Sequence, residues 1–170
     1  MKKFVVISHT HWDREWYMPF SVFRMKLVDL IDRLLGILER DSDYIFHLDA
    51  QTIVLEDYLA IHPRNEEKLK QYIASGNIRV GPWYLQNDFY LTDGEATVRN
   101  LMIGTAIAKQ FGKCGTVGYA PDQFGNISQL PQIIRQFGLR AFVFGRGFRF
   151  HETVDGVRRE KKMPAEFEWE

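Results

Sequence analysis

The chain alternates between segments with helical spacing of apolar residues and short runs of consecutive apolar residues. Over residues 22–38 apolar side chains recur every three or four positions, which predicts an amphipathic helix. The same reasoning predicts helices over residues 52–61, 65–75, 94–111 and 129–137, with Asp93 capping the helix that begins at residue 94. Short runs rich in β-branched or aromatic residues predict strands at residues 3–8, 44–48, 78–81, 116–120 and 141–144.

Strands and helices alternate along the chain, which favours parallel strands joined by helical crossovers. Two architectures fit that order: an open doubly wound sheet and a β/α barrel. No GxGxxG motif follows the first strand, which weakens a dinucleotide-binding open sheet. Residues 165–170 alternate apolar and charged side chains as a further strand would. Because a β/α barrel needs about 250 residues, we expect the chain to be a fragment or N-terminal domain of a longer enzyme.

Composition and charge narrow the class of protein. Of the 170 residues, 45% are hydrophobic, which excludes an intrinsically disordered chain. No apolar run approaches the roughly 18 residues that a transmembrane helix needs. The 22 basic and 22 acidic residues give a net charge of +0, so we expect neither a nucleic-acid nor a membrane partner. Cys114 is the single cysteine, which excludes an internal disulfide and favours a cytoplasmic protein.

Polar and aromatic residues follow every predicted strand, which is where parallel α/β folds place their active groups. The helix-to-strand connections carry few such residues. This asymmetry predicts a catalytic face at the carboxyl ends of the strands. The segments concerned are residues 9–16, 49–51, 83–88, 121–125 and 145–147.

His11 and Asp13 are the clearest candidates for chemistry. In an extended segment residues i and i+2 point the same way, so one imidazole and one carboxylate converge as a divalent metal requires. Zinc accepts this combination of nitrogen and oxygen ligands. Two ligands do not make a site, and Asp122 is the best candidate for a third, while His9 could share the face or orient its neighbours. The alternative is that these side chains make ordinary hydrogen bonds or, for Asp122, cap a helix.

Arg146 follows the predicted strand that comes after Asp122. Adjacent strands lie about 4.8 Å apart, so a guanidinium there can reach the carboxylate and favour its charged form. A charged carboxylate beside a metal suits a nucleophile. The alternative for Arg146 is a solvated loop arginine.

The remaining residues of this face suggest a carbohydrate ligand. Asp88 could bind sugar hydroxyls or act as a cap, and capping is the favoured alternative for Asp49 and Gln51. Aromatic side chains could form stacking walls for a sugar or pack in the core. The aromatic candidates are Trp12, Trp16, Trp83 and Tyr84.

Four sequence blocks, in this order, resemble the family 38 α-mannosidases. They are SHTHWDREW, GPWYLQNDFYLTDGEATVRNL, GYAPDQFGNISQLPQI and VFGRGF. The bacterial branch of the family, which includes mannosylglycerate hydrolases, is the most similar. The resemblance covers about residues 3–148, and it is specific because it rests on all four blocks.

The resemblance implies a fold. In that family the N-terminal domain is a barrel of seven parallel strands with a zinc ion at its mouth. We therefore expect an α/β fold, a parallel (β/α) barrel of the seven-stranded glycoside hydrolase/deacetylase type that is incomplete in this chain. Residues 1–170 would form the N-terminal part of that catalytic domain.

The resemblance also implies a zinc-dependent retaining mechanism. His11, Asp13 and Asp122 would be zinc ligands, and Asp122 would also be the nucleophile that forms a mannosyl-enzyme intermediate. Arg146 would be the partner of Asp122. The zinc ion would grip sugar hydroxyls and help distort the ring, rather than activate water.

The resemblance extends to the substrate, an α-mannoside or mannosylglycerate. Trp16 would line the subsite that holds the mannose, and Asp88 matches a position near the substrate. The remaining zinc ligand of the family, a histidine, and its general acid would lie beyond residue 170. We therefore expect this chain alone to be inactive, and its exposed sheet edges to favour a homo-oligomer.

Two other functions remain open at this point. One is a metal-dependent carbohydrate deacetylase on a similar barrel, in which the metal activates water. The other is a non-catalytic carbohydrate-binding fragment, which the missing acid and missing ligand would favour.

Overall fold

The computed structural model describes residues 2–162, 164 and 166–168. Strands and helices alternate over most of this length, and a 3₁₀ turn at Pro63–Asn65 precedes α3. The helices are α1 Phe20–Leu38, α2 Ile53–Leu59, α3 Glu66–Ser75, α4 Gly94–Gln110 and α5 Leu130–Gln136. The strands are β1 Ser8–Thr10, β2 Phe46–Leu48, β3 Ile78–Arg79, β4 Gly118–Ala120, β5 Phe142–Phe144, β6 Phe150–Val154 and β7 Val157–Lys161.

Three small sheets are formed by the described residues. Strands β1, β2 and β3 pair in that order, all parallel, and β4 pairs in parallel with β5. Strands β6 and β7 form a separate antiparallel hairpin. The prediction of a (β/α) barrel, complete or partial, is therefore wrong for this chain.

The physical reason is the lack of continuous backbone pairing. A barrel closes only when each strand pairs on both sides, yet within the described residues no ladder joins β3 to β4. The two parallel sheets are joined by single contacts instead, and one of them is a backbone hydrogen bond from the Gly115 N–H to the Val80 carbonyl at 2.8 Å. The indole Nε1 of Trp83 donates a hydrogen bond to the carbonyl of Tyr119 at 2.9 Å. The alternation of strands and helices predicted parallel pairing, but it could not show where the pairing would stop.

The first strand lies later in the chain than its apolar run predicted. Strand β1 begins at Ser8, where Ser8 and Thr10 align with Phe46 and Leu48 of β2. The apolar residues before it are exposed: Phe4 by 86%, Val5 by 74%, Val6 by 91% and Ile7 by 68%. Strand propensity indicates a pleated, half-buried environment, and these residues have no such environment here.

The end of the described chain also differs from expectation. Residues 157–161, where no strand was predicted, form β7 of the hairpin. The strand predicted over residues 165–170 falls partly outside the described residues, and Glu166 to Glu168 are not in a strand.

The core consists of two clusters that lie against the two parallel sheets. Helix α1 turns one face inward, from Phe23 to Leu38, as its spacing predicted. That face packs with α2, α3 and the first sheet in a cluster that includes Leu48, Tyr58 and Ile73. The second cluster lies near β4 and includes Trp83, Phe89, Ala120, Leu101 and Leu130.

Helix α4 fixes the loop that follows β3. Its cap is as predicted, because the side chain of Asp93 accepts a hydrogen bond from the backbone of Ala96 at 2.7 Å. On its inner face, the Asn100 side chain accepts from the backbone N–H groups of Tyr84 and Leu85 at 2.8 and 3.0 Å. It also donates to the Asn87 side chain at 2.7 Å. This buried amide therefore holds the loop that leads into the cleft described below.

Over the part of the chain that the structure describes, no helix is both long enough and apolar enough to span a bilayer.

Candidate active site

The carboxyl ends of the parallel strands meet around a cleft of about 240 Å³. Parallel pairing places these ends at one edge of each sheet, which explains why residues far apart in sequence come together. The segment after β1, the loop after β3 and the turn after β4 each contribute. The cleft is lined by His11, Trp12, Asp13, Arg14, Gln51, Leu85, Gln86, Asn87, Asp88, Asp122, Gln123 and Phe124.

His11, Asp13 and Asp122 bring their possible ligand atoms within 4.8 Å of one another. The Nε2 atom of His11 lies 3.5 Å from Oδ1 of Asp13 and 3.7 Å from Oδ2 of Asp122. Two ligands bound tetrahedrally to zinc at about 2.1 Å would lie about 3.4 Å apart. The spacing and the nitrogen and oxygen donors therefore fit a zinc ion. The three side chains are also partly exposed, so an ion can reach them.

The second ring nitrogen of His11 faces a buried carboxylate. Its Nδ1 atom lies 3.3 Å from both oxygens of Asp49, a residue that is 0% exposed. The hydrogen bond to Asp49 raises the pKa of His11 above its ordinary value. Burial opposes this change, and the charges of Asp49, Asp13 and Asp122 reinforce it. The imidazole thus lies between a buried acid and an accessible pair of acids.

Asp122 is bound on its other side by Arg146. The guanidinium Nη2 donates to Oδ1 of Asp122 at 2.5 Å, and Nε donates to the backbone carbonyl of the same residue at 3.1 Å. The guanidinium also stacks on the ring of Phe124, 4.0 Å from its centroid. The two oxygens of Asp122 therefore have separate neighbours, Arg146 for Oδ1 and His11 for Oδ2.

Hydrogen bonds to β2 and α2 hold the segment that follows His11. The backbone N–H of Trp12 donates to Asp49 at 2.6 Å, and Gln51 Nε2 donates to the Trp12 carbonyl at 2.8 Å. Further along, Arg14 Nε and Nη2 donate to the two oxygens of the buried Asp57 at 2.7 and 2.8 Å. A paired, two-point contact of this kind fixes direction as well as distance.

The other predicted site residues divide into three cases. Asp88 lines the cleft, and its side chain also accepts from the backbone of Tyr90 at 3.1 Å. Trp16 is 76% exposed and packs edge-on against Tyr17, and it is not among the residues that line the cleft. Trp83 is 1% exposed and packs against Phe89. Trp83 therefore packs in the core, which is one of the two alternatives that the sequence analysis left open for it.

Sequence reasoning missed the importance of Asp49 and of two glutamines. Asp49 was favoured as a cap, and Gln86 was given no role of its own. In the structure Gln51 and Gln86 donate to the Asp49 side chain at 2.7 and 3.1 Å. The available signal was the position of Asp49 directly after β2, level with the segment that carries His11.

The cleft also contains buried acceptor atoms that have no partner within the described residues. They are Oε1 of Gln86 and Oε1 of Gln123, both in side chains that line the cleft. An unpaired buried carbonyl oxygen is costly, so it indicates a site for a donor. Sugar hydroxyls and water can each supply one.

Comparison with known proteins shows the family to which this chain belongs. The model of the glycosyl hydrolases family 38 N-terminal domain matches residues 1–170. A protein of Halalkalibacterium halodurans named "Putative mannosylglycerate hydrolase" is 50% identical over 144 residues, 84% of this chain and 16% of that protein. Human alpha-mannosidase 2C1 is 31% identical over 164 residues, 89% of this chain and 16% of that protein.

A solved structure gives the same result. The crystal structure of an alpha-mannosidase from Enterococcus faecalis V583 superposes with a TM-score of 0.81 at 42% identity. The match covers 83% of this chain and 16% of that protein. This chain therefore belongs to glycosyl hydrolase family 38, and it spans about 16% of the length of the relatives named here.

Proposed function

We propose that this chain carries part of the catalytic site of a zinc-dependent retaining α-mannosidase. The observation that supports this most directly is the convergence of ligand atoms from His11, Asp13 and Asp122 within 4.8 Å. Arg146 holds the remaining oxygen of Asp122, which is the arrangement that a ligand with a second chemical task needs. Residues 1–170 would then be the N-terminal part of the catalytic domain.

His11, Asp13 and Asp122 would hold the zinc ion. When bound, zinc would act as a Lewis acid that binds sugar hydroxyls and fixes the position of the sugar ring. A fourth protein ligand is expected outside residues 1–170. The chain's own part is to present one imidazole nitrogen and two carboxylates in a partly exposed cleft.

Asp122 would act as the nucleophile. A carboxylate oxygen of Asp122 forms a bond to the anomeric carbon while the glycosidic bond breaks, and the leaving oxygen takes a proton from a general acid outside this chain. Water then cleaves the mannosyl-Asp122 ester and restores the carboxylate. Arg146 would keep the carboxylate aligned through both steps, because it binds Oδ1 and the backbone of the same residue.

The remaining cleft residues would bind and orient the sugar. Asp88 and the unpaired amide oxygens of Gln86 and Gln123 can accept hydrogen bonds from hydroxyl groups. Trp16, exposed beside the segment that carries His11 and Asp13, remains the proposed wall of the mannose subsite. The names of the relatives support α-mannosides or mannosylglycerate as the substrate class.

The setting of the enzyme is also a proposal. The single cysteine favours the cytoplasm, where structural disulfides are rare. The exposed edge strands β1 and β5 favour association between copies of the chain.

The test measures hydrolysis of an aryl α-mannoside by the whole protein that contains this chain, together with its zinc content. We expect Asp122→Ala to lose at least about 1,000-fold in kcat, because the nucleophile is removed. A reaction in methanol and water should give the methyl α-mannoside, with retained configuration. The matched control is Asp32→Ala, which removes an aspartate whose side chain contacts Tyr58 rather than the cleft. Release of acetate from acetylated sugars without release of mannose would contradict the proposal.

A further inference from the structure

Asp49 is a buried acid that the proposed reaction does not use directly. It is 0% exposed, so it can contact neither substrate nor solvent. Within the described residues, His11 is the basic group that lies within ion-pair distance of it. A buried carboxylate costs several kcal/mol of solvation and is retained only where its contacts repay that cost. Its contacts therefore indicate what it does.

The backbone at Asp49 is bent to direct the side chain inward. Asp49 and Ala50 have φ angles of 45° and 54°, in the left-handed region that residues with a Cβ rarely adopt. Such conformations cost about 1–3 kcal/mol and cluster at functional sites. Three donors then fix the carboxylate. Trp12 N–H and Gln51 Nε2 bind Oδ2 at 2.6 and 2.7 Å, and Gln86 Nε2 binds Oδ1 at 3.1 Å.

This fixed carboxylate determines which nitrogen of His11 carries the proton. A neutral imidazole has one N–H donor and one acceptor nitrogen, and a carboxylate only accepts. Because Nδ1 of His11 faces Asp49 at 3.3 Å, the proton belongs on Nδ1. The lone pair of Nε2 then points toward Asp13 and Asp122, 3.5 and 3.7 Å away. That is the form of histidine that binds a metal through Nε2.

We propose that Asp49 is a positioning residue that fixes the ring orientation and the Nδ1–H tautomer of His11, and that Gln51 and Gln86 fix Asp49 in turn. The inference rests on the proposed metal site for its consequence, the affinity for zinc. Its direct statement, that Nδ1 of His11 carries the proton, does not depend on the proposed metal site.

Asp49→Asn separates this role from simple support of the fold. The oxygen of the new amide can still accept from Trp12 and Gln51. Its nitrogen then faces His11, in place of the oxygen that accepted from Gln86. That nitrogen donates to Nδ1, so the His11 proton moves to Nε2 and blocks the ligand position. The matched control is Asp57→Asn, because Asp57 is also a buried acid that holds the same segment, through Arg14 rather than His11.

The experiment labels histidine with nitrogen-15 in the 170-residue chain and records ring nitrogen shifts over a pH series that ends on the plateau of the neutral imidazole. The His11→Gln variant assigns the His11 signals, and thermal unfolding verifies that each variant is folded. We expect the Nδ1–H form in the wild type and in Asp57→Asn, and the Nε2–H form in Asp49→Asn. Zinc affinity of the whole protein that contains this chain, measured by competition with a chelator, should fall about 10–100-fold in Asp49→Asn.

Two results would overturn the inference: an Nε2–H tautomer in the wild type, or an Asp49→Asn variant with unchanged tautomer and the zinc affinity of the control. A whole wild-type protein that binds no zinc, while the chain shows the tautomer change, has a different meaning. It would count against the proposed metal site and support the positioning of His11 by Asp49.

Discussion

At the scale of single residues, the carboxylate of Asp122 faces two neighbours with different tasks. Arg146 binds Oδ1 and the backbone carbonyl, while His11 lies 3.7 Å from Oδ2. The guanidinium also stacks on Phe124, so its plane is fixed by a ring as well as by hydrogen bonds. Arg146 can therefore align the proposed nucleophile without occupying the position that faces the proposed metal site.

Replacing Arg146 by glutamine tests this division of tasks. We expect kcat for an aryl α-mannoside to fall about 100-fold or more, because a preorganised charged donor is lost from the reacting group. Zinc affinity should change by less than about 10-fold, because Arg146 contacts the oxygen of Asp122 that does not face His11. The measurement is steady-state kinetics with chelator competition on the whole protein.

The control for that change is Arg99→Gln, which breaks an exposed ion pair with Glu95 on α4. Such exposed ion pairs contribute little to stability, so kcat and the zinc affinity should both remain near their wild-type values. Equal kcat values in the two variants would remove Arg146 from the proposed mechanism.

At the scale of elements, the central strand β2 carries His47, whose surroundings disfavour its charged form. The strand register aligns His47 with His9 on β1 and Arg79 on β3. Burial lowers the pKa of His47, the charge of Asp49 opposes this change in part, and the charges of His9 and Arg79 lower the pKa further. The folded sheet thus favours neutral His47, whose ring lies edge-on to Tyr119 at 5.1 Å.

This position predicts a loss of stability in acid. The pKa of His47 is lower in the folded chain than the value of about 6.5 in the unfolded chain. As pH falls below about 6.5, the unfolded state binds the proton first, so the free energy of unfolding decreases; above that pH His47 adds no pH dependence. We expect His47→Gln to reduce the decrease measured by urea unfolding between about pH 7.5 and pH 5. The variant His151→Gln, on the hairpin, is the control, and an equal slope in both would contradict the assignment.

Alanine at two helical glycines is expected to change the free energy of unfolding in opposite directions. A Cβ at Gly104 of α4 would lie 2.2–2.3 Å from backbone atoms of Pro82, Trp83 and Tyr84, whereas at Gly36 of α1 its nearest neighbour is the end of Arg40 at 4.0 Å. Gly104→Ala must push α4 away from the loop before the cleft, and we expect it to cost at least about 1–3 kcal/mol. Gly36→Ala should raise the free energy of unfolding by about 0.5–1 kcal/mol, because alanine favours a helix. Urea unfolding of both variants checks this pair, and a stabilised Gly104→Ala would contradict the packing of α4.

The sequence predicts helices more accurately than strands, for a physical reason. The buried face of α1 repeats along 19 residues, so its periodicity is visible in the sequence, and α4 begins where Asp93 predicts. The parallel strands have two or three residues each, and their ends depend on partners that are distant in sequence. That is why β1 was predicted too early and why the pattern could not show that parallel pairing stops between β3 and β4, where the resemblance implied a barrel.

The candidate site shows the same limit. Each of four site residues lies just after a strand, and the carboxyl ends of parallel strands were predicted to share one face. These residues are His11, Asp13, Asp122 and Arg146. The role of Asp49 depends on a positive φ angle that turns its side chain inward, and no spacing rule indicates that angle.

At the scale of the whole molecule, exposed apolar surface predicts that copies of this chain associate. Phe4, Val5, Val6 and Ile7 are between 68% and 91% exposed and lead directly into β1, an edge strand. An apolar segment that continues an unpaired edge is a template for pairing with another chain. A second copy offers the same segment, so a two-fold pairing satisfies both.

We expect the weight-average mass of the 170-residue chain in sedimentation equilibrium to rise with concentration. Val6→Lys should shift association to at least about 10-fold higher concentration, because a charge on an edge opposes pairing. Val157→Lys, an exposed valine on the hairpin, should leave it unchanged. A chain that stays monomeric, or two variants with the same effect, would show that the segment before β1 is not the contact.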